Sequence, residues 1–212
     1  MKITILTDNP NSWVIPYINE IRIKGEFKNH EIKHIYNSDD ITEGDIMFIL
    51  SCENILTKEH LKFHKNNIVI HSSELPKGKG WSPLAWQILE GINDIPVSLF
   101  EAVDAVDAGD VYILDYMKLD GTELNDEIKH KQGLIMMEMM LKYINNYDTM
   151  IGKPQEGKST FYSKRTPKNS ELDIDKSISS QFNLLRVVDN ERYPAFFYLN
   201  DKKYIVKIYE EE

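Results

Sequence analysis

IVIHSSELPKGKGWSP, residues 68–83, is the stretch that most constrains the fold of this chain. It opens with three branched aliphatic residues, Ile68 to Ile70, which are typical of a buried parallel strand. His71 ends the strand, a loop rich in Gly and Pro follows, and Ser82-Pro83 supplies an N-cap and a first-turn proline for a helix. Open α/β sheets bind ligands at the carboxyl ends of their strands, so His71 is a candidate functional residue. An ordinary polar turn with an exposed histidine would give the same pattern.

The flanking sequence predicts strands that alternate with helices. We expect strands at 1–8, 31–36, 45–50, 96–101 and 111–119, and helices at 13–23, 58–64, 84–90 and from Thr122, as N-cap, to about 147. This alternation predicts an α/β fold with a doubly wound, Rossmann-like, mostly parallel sheet. The first strand is not followed by G-x-G-x-x-G, so a dinucleotide site is not supported.

The C-terminal part of the chain predicts a small appendage. A polar segment at 153–159 ends the Rossmann-like core, so we divide the chain into a domain at 1–152 and an extension at 153–212. In the extension, Asp175 is expected to cap a helix that runs to about residue 188. Residues 196–209 read as a β-hairpin with Asn200-Asp201 at its turn.

Composition restricts the classes of partner. The chain has 212 residues and a formal net charge of −9, which argues against a nucleic-acid partner because phosphate binding needs a clustered basic face. Apolar runs are too short for a membrane span and no signal peptide opens the chain, so we expect a cytoplasmic protein without a membrane partner. The chain has a single cysteine, Cys52, which we interpret as a small buried thiol. The alternative is that Cys52 acts as a nucleophile. The histidines other than His71 lack metal-ligand spacing and are interpreted as surface residues, so no metal is expected.

A second motif lies in an acidic loop that precedes a strand. Asp107-Ala108-Gly109-Asp110 follows the apolar segment at 96–101. Together, His71-x-Ser-x-Leu-Pro, the glycine-bearing loop and Asp-x-Gly-Asp at this interval resemble the N10-formyltetrahydrofolate-dependent formyltransferases. One position departs from the family pattern, because the family asparagine two residues before the histidine is Val69 here.

The resemblance implies an enzyme that transfers a formyl group from N10-formyltetrahydrofolate to an amine. His71 would act as the general base and Asp107 would orient it, since histidine titrates near neutral pH. The resemblance also implies cofactor-binding residues for the folate donor: Asn54, Ile55, Leu56, Leu75, Val103, Asp104, Val106 and Asp107. The loop at 54–56 is equally compatible with a plain strand-to-helix connection.

The oxyanion that forms during acyl transfer needs a donor, and Val69 has none. Asn67 has the right strand parity but lies too far back along the strand. Backbone N–H groups, protonated His71 or Asn54 are the alternatives, and the residues do not decide between them. A catalytically impaired relative that only binds folate or a sugar nucleotide therefore stays open.

The acceptor is expected to be a nucleotide-linked 4-amino-4,6-dideoxy sugar. Lys-Arg-Thr-Pro at 164–167 and the run at 183–197 resemble sugar-nucleotide N-formyltransferases, and the whole set of matches looks most like members of pseudaminic-acid-type pathways. UDP is preferred over dTDP, a homodimer is left open, and Met-tRNA or glycinamide ribonucleotide are the alternative acceptors. Such an acceptor needs cations for its diphosphate, and the candidates are Lys77, Lys79 and Arg186. It also needs flat side chains for the base and the hexose ring, for which Trp13, Trp81 and Tyr193 are available. Asn9 and Asn11 are candidates for contacts with hydroxyl groups.

Overall fold

Strands and helices alternate through the first two thirds of the chain, as the sequence predicts. The computed structural model describes residues 1–23, 27 and 29–211. Within them the strands are β1 (Lys2–Leu6), β2 (Glu31–Ile35), β3 (Gly44–Ile49), β4 (His64–His71), β5 (Lys79–Gly80), β6 (Asp94–Glu101), β7 (Val111–Lys118), β8 (Phe161–Tyr162), β9 (Ala195–Leu199) and β10 (Lys202–Val206). The α-helices of the same residues are α1 (Ile15–Ile23), α2 (Lys58–Leu61), α3 (Pro83–Leu89), α4 (Asn125–Asn145) and α5 (Phe182–Arg186).

The central sheet has six strands in the order β2-β1-β3-β4-β6-β7. The first four are parallel to one another, whereas β6 runs antiparallel to both β4 and β7. The mostly parallel α/β fold is therefore confirmed. His71, at the end of β4, lies where the sheet changes from parallel to antiparallel pairing.

Both faces of the sheet are buried. On β3, Ile46 and Phe48 join a core cluster with α1 and α4, whereas Met47 and Ile49 join a second cluster on the opposite face. Consecutive residues of a strand point to opposite faces, so this division shows a sheet that is covered on both sides. The methionines of α4 belong to the first cluster, as expected of apolar residues that fill a core.

Two predicted helix boundaries are wrong. Thr122 is not the N-cap of α4, because its hydroxyl donates to Asp120 and the Leu124 amide instead donates to Glu127 at 3.0 Å. The predicted helix at 176–188 is a 3-10 turn at Ser179–Gln181 followed by the short α5.

The C-terminal β-hairpin is confirmed. β9 and β10 are antiparallel, and Asn200 and Asp201 between them have φ values of 48° and 61°. Two consecutive residues in this left-handed region are typical of the tight turns that suit the twist of a hairpin.

The prediction that the remaining histidines lie at the surface is wrong for His64, which is 6% exposed and bonded through Nε2 to the Thr4 hydroxyl at 2.8 Å.

Candidate active site

His71 is held by a main-chain carbonyl. Its Nε2 atom lies 2.9 Å from the Gly78 oxygen, and the side chain is 11% exposed. A carbonyl can only accept a hydrogen bond, so Nε2 carries the proton. In the neutral imidazole, Nδ1 is then the basic nitrogen.

Asp107 lies beside His71 without a short hydrogen bond to it. Its Oδ2 is 3.8 Å from His71 Nε2 and accepts a hydrogen bond from the Gly80 amide at 2.8 Å. The carboxylate is 12% exposed, and at this distance it favours a positive charge on the imidazole over a neutral ring. The sequence motifs are thus brought together in space, as the predicted pair requires.

Glycine and glutamine fix the Asp107 loop. Gln155 Nε2 donates to the carbonyls of Asp107 and Gly109 at 2.9 and 2.8 Å. A Cβ at Gly109 would lie 1.9 Å from the Glu101 oxygen, so only glycine allows the loop to approach β6 this closely. Gln155 is a contributor that sequence reasoning missed, because it lies 48 residues from the loop it supports.

Polar side chains fix the loop that follows His71. Gln87 Nε2 donates to the Ser72 carbonyl at 2.6 Å, and Gln132 Nε2 donates to the Ser72 hydroxyl at 2.9 Å. Ser98 donates to the Ser73 carbonyl at 2.7 Å. Ser72 and Ser73 are buried, so they shape the loop, as expected for residues that are not nucleophiles.

His71 borders two cavities, and a third cavity shares part of their lining. The side cavity, about 320 Å³, lies between the loop after β3 and the loop after β6, and Ile49, Leu61, Val69 and Phe100 form part of its wall. The inner cavity, about 330 Å³, lies against α3 and α4, and Ile70, Ile88, Val97 and Met136 form part of its wall. The open cavity, about 680 Å³, extends toward the C-terminal region and is bordered by Asp8, Lys164, Arg165, Thr166 and Arg192.

Most of the predicted cofactor-binding residues border the side cavity. Its lining includes Asn54, Ile55, Leu56, Val103, Val106 and Asp107. Two predicted members are absent from this lining. Leu75 is buried, and Asp104 pairs with Lys58 at 2.9 Å across the rim.

The predicted substrate-binding residues divide into two groups. Those that border the open cavity are Asn9, Trp13, Trp81 and Tyr193. Asn11, Lys77 and Lys79 border none of the three cavities, and Lys77 pairs with Glu74 at 3.4 Å.

The prediction that Arg186 contacts substrate is wrong. Its side chain is 0% exposed, and its guanidinium pairs with Glu123 at 3.2 Å and bonds to Asn93 and Asn183. Lys164, Arg165 and Arg192 border the open cavity instead. The Lys-Arg-Thr-Pro run was the available signal for the first two, although it was used only for the family resemblance and its residues were not predicted to bind substrate.

The two asparagine side chains considered as oxyanion donors, Asn67 and Asn54, are engaged in the structure. Asn67 donates its amide to the Leu61 carbonyl at 2.9 Å, and Asn54 donates to Asp8 at 2.9 Å. Burial and the nearby Asp8 carboxylate raise the pKa of Cys52 to about 12, so its thiol stays neutral. This agrees with the interpretation of Cys52 as a structural thiol and not a nucleophile.

Two features are absent from the described residues. They contain no helix with the length and apolar character needed to cross a membrane. They also contain no cluster of three or more His, Cys, Asp or Glu side chains arranged to hold a metal ion.

Solved structures share this fold. Methionyl-tRNA formyltransferase from Clostridium thermocellum is similar at a TM-score of 0.84, with 24% identity and coverage of 100% of this chain and 94% of that one. A 4-N formyltransferase from Francisella tularensis gives a TM-score of 0.75, with 20% identity and coverage of 100% and 98%. HypX from Aquifex aeolicus, solved in complex with tetrahydrofolic acid, gives 0.78, with 16% identity and coverage of 98% and 37%.

The sequence comparisons identify a family. The chain spans about a quarter to three fifths of the length of the curated relatives that it matches, at 24% to 29% identity. The model of the formyl transferase family matches residues 19–140, which include His71, Asp107 and the loops around them. The chain therefore belongs to the formyl transferase family.

Proposed function

We propose that this protein transfers a formyl group from N10-formyltetrahydrofolate to the amine of a nucleotide-linked 4-amino-4,6-dideoxy sugar. The observation that carries the proposal is the position of His71 and Asp107. The pair borders the side cavity, which has an apolar wall and shares Ser51, Trp81 and Ser82 with an open cavity bordered by aromatic rings and cations.

The side cavity suits a folate donor. A flat heteroaromatic ring requires apolar walls and a few polar groups that fix its orientation. Leu61, Val69 and Phe100 supply such walls, and main-chain groups of the loop at 54–56 are available for the polar edge. The HypX complex with tetrahydrofolic acid, on a similar fold, supports this choice of donor.

Formyl transfer to an amine requires a base, an acid and a group that stabilises an oxyanion. His71 takes the proton from the attacking amine through Nδ1, because Nε2 already carries a proton toward Gly78. Asp107 stabilises the resulting imidazolium, and His71 then gives a proton to the departing nitrogen. Neither step requires a covalent bond to the protein.

The open cavity suits an anionic acceptor. Arg165 donates to the carbonyls of Val187 and Asn169 and, among the described residues, has no carboxylate partner. Burial lowers the pKa of Arg165, as expected for a cation whose charge is not compensated. A diphosphate would supply that compensation, since guanidinium groups bind phosphate oxygens well.

Aromatic and amide groups around Arg165 suit the rest of a sugar nucleotide. Trp13, Trp81 and Tyr193 offer flat faces for a base or a hexose ring, and Asn9 offers hydrogen bonds for hydroxyl groups. UDP is preferred over dTDP because the motifs most resemble pseudaminic-acid-type enzymes. The 4-N formyltransferase from Francisella tularensis, on a similar fold, supports transfer to a nitrogen at position 4 of the acceptor. We retain the division of the chain at residues 152 and 153 as a proposal, with the C-terminal part supplying Arg165 and Tyr193 to the acceptor.

An acceptor panel tests the proposal. The protein would be incubated with N10-formyltetrahydrofolate and, separately, a UDP-linked 4-amino-4,6-dideoxyhexose, its dTDP counterpart, glycinamide ribonucleotide and Met-tRNA. We expect tetrahydrofolate to form with the UDP sugar and to form more slowly with the dTDP sugar. Turnover with Met-tRNA or glycinamide ribonucleotide alone would overturn the acceptor assignment, and no turnover with any acceptor would overturn the formyl-transfer assignment.

A further inference from the structure

We propose that the hydroxyl groups of Ser51 and Ser82 bind the formyl oxygen and stabilise the oxyanion during transfer. The inference rests on the proposed function and adds the group that it leaves unassigned. In the cavity linings of the described residues, Ser51 and Ser82 are the two that border the side, inner and open cavities together. A formyl group that passes from a donor in one cavity to an acceptor in another must cross this junction.

Both serines have an unusual backbone conformation. Their φ values are 53° for Ser51 and 52° for Ser82, in the left-handed region that favours glycine. Ser51 follows β3 after Leu50, and Ser82 precedes α3. A non-glycine residue in this conformation carries a backbone cost that glycine would avoid. Serine differs from glycine at these positions by its hydroxymethyl group, so a role for the hydroxyl would account for the choice of serine.

Neither hydroxyl is used by the fold. Ser82 is the N-cap of α3, a position where serine ordinarily accepts a hydrogen bond from a helix amide, but its side chain makes no such bond. Among the described residues, neither Ser51 Oγ nor Ser82 Oγ has a hydrogen-bond partner, and both residues are exposed to the cavities. Two free donors therefore face the junction.

The other polar side chains of the side cavity are less suited to this task. Cys52 donates to the Leu6 carbonyl, Asn54 donates to Asp8, and His71 Nε2 faces Gly78. Trp81 borders the side and open cavities but not the inner one, and its ring lies beneath Lys164 Nζ at 4.7 Å. Val69, on the cavity wall, has no donor.

The step that the serines would assist is balanced in electrons and protons. The lone pair of the acceptor amine forms a C–N bond to the formyl carbon, and the electrons of the C=O double bond move to oxygen, where Ser51 and Ser82 donate hydrogen bonds. His71 removes a proton from the amine. The C=O bond then re-forms, the bond to the donor nitrogen breaks with its electron pair on that nitrogen, and the proton from His71 is delivered there.

Ser→Gly substitutions separate this role from a structural one. Glycine removes the hydroxyl and relieves the left-handed backbone, so Ser51→Gly, Ser82→Gly and the double variant should melt at or above the wild-type temperature. Ser163→Ala, an exposed serine that borders none of the three cavities, is the matched control.

The first measurement is binding without turnover. Calorimetry would compare 10-formyl-5,8-dideazafolate with 5,8-dideazafolate, which lacks the formyl group. We expect the wild type and Ser163→Ala to prefer the formyl compound by about tenfold, and the double glycine variant to bind both equally, since one or two hydrogen bonds are lost. The inference is overturned if the double variant keeps the preference, if the wild type has none, or if the double variant loses affinity for both compounds alike. Binding of neither compound to the wild type would overturn the proposed function and this inference with it.

The second measurement is turnover by the same variants. Removal of a donor to an oxyanion lowers kcat by about a hundredfold or more in other acyl-transfer enzymes, so we expect a fall of about that size in the double variant with KM for the acceptor unchanged. If the wild type transfers the formyl group and the double variant has the same kcat, the inference is overturned and the proposed function remains intact.

Discussion

Arg186 with Glu123, and His71 with Asp107, are two pairs of ionisable side chains that are largely buried among the described residues, and they differ in how completely their hydrogen-bonding groups are used. Arg186 is 0% exposed and Glu123 is 4% exposed, and they are 3.2 Å apart. Glu123 also accepts from Lys131 and from the amides of Asp120 and Gly121. His71 and Asp107 are 3.8 Å apart, His71 Nε2 donates to the Gly78 carbonyl, Asp107 accepts from the Gly80 amide, and both residues border the side cavity.

The difference separates a pair that holds the structure from a pair available for chemistry. The Arg186–Glu123 pair has its donors and acceptors occupied, so it ties the C-terminal region to the turn before α4. Among the described residues, Nδ1 of His71 has no hydrogen-bond partner, and His71 borders both the inner and the side cavity, where a reacting group can approach. Perturbing the first pair should change stability, and perturbing the second should change rate.

The largest effect is expected for the His71–Asp107 pair. His71→Ala and Asp107→Asn should each lower kcat by about 10² to 10⁴, the usual range for loss of a general acid or base, because His71 moves both protons. Thermal melting should change far less than the rate, because His71 and Asp107 each make a single side-chain hydrogen bond to the main chain. Formyl-transfer rates with melting curves would check this, and wild-type rates in His71→Ala would remove the proposed base.

Next in size is the effect of Arg186→Met on stability. It leaves Glu123 buried without its guanidinium partner, which typically costs about 3 to 5 kcal/mol of unfolding free energy. Denaturant unfolding would measure the loss, with Arg192→Met as a control that removes an arginine near the open cavity. If Arg186→Met melted like the wild type but failed to turn over, Arg186 would belong to the site after all.

A pH effect on stability should follow from Glu123. Burial alone would raise the pKa of Glu123, but hydrogen bonds from Lys131 and from neighbouring amides outweigh it and lower the pKa from 4.5 to about 2. A carboxylate with a lowered folded-state pKa contributes stability above its ordinary pKa and loses that contribution as pH falls toward the folded value. The stability advantage of the wild type over Glu123→Gln should therefore shrink between pH 4.5 and about 2, as unfolding curves would show. A constant difference across this range would contradict the assignment.

The smallest effect is expected for Arg165→Gln. It removes a cation that borders the open cavity, so KM for the sugar nucleotide should rise about tenfold with kcat nearly unchanged, as expected for one charge-assisted hydrogen bond. Lys168→Gln makes the same change of charge at an exposed residue outside the three cavity linings and serves as the control. Equal rises in KM for both variants would indicate general electrostatics and not a specific phosphate contact.

The sheet and the His71 loop could be predicted because their signals are local. Branched aliphatics at Ile68 to Ile70, the proline and glycines that follow, and Ser82-Pro83 specify a strand, a loop and a helix start within a few residues. The proximity of Asp107 followed from the family resemblance and is borne out by the 3.8 Å separation from His71.

The errors arise where a residue's role depends on a distant partner. The sequence around Arg186 gives no sign that its side chain is buried and paired with Glu123, which lies 63 residues earlier. Gln155 and Arg165 acquire their positions in the same way, through contacts with segments far along the chain. Thr122 fails as a cap for a local reason, because Asp120 competes for its hydroxyl.

The most direct test of the account is a double-mutant cycle on His71 and Asp107 in the formyl-transfer assay. If the two residues act as one unit, the His71→Ala/Asp107→Asn variant should be no slower than His71→Ala alone, because Asp107 works only through the imidazole. Losses that multiply, or a His71→Ala variant that transfers formyl at the wild-type rate, would contradict the central claim that this pair moves the protons of the reaction.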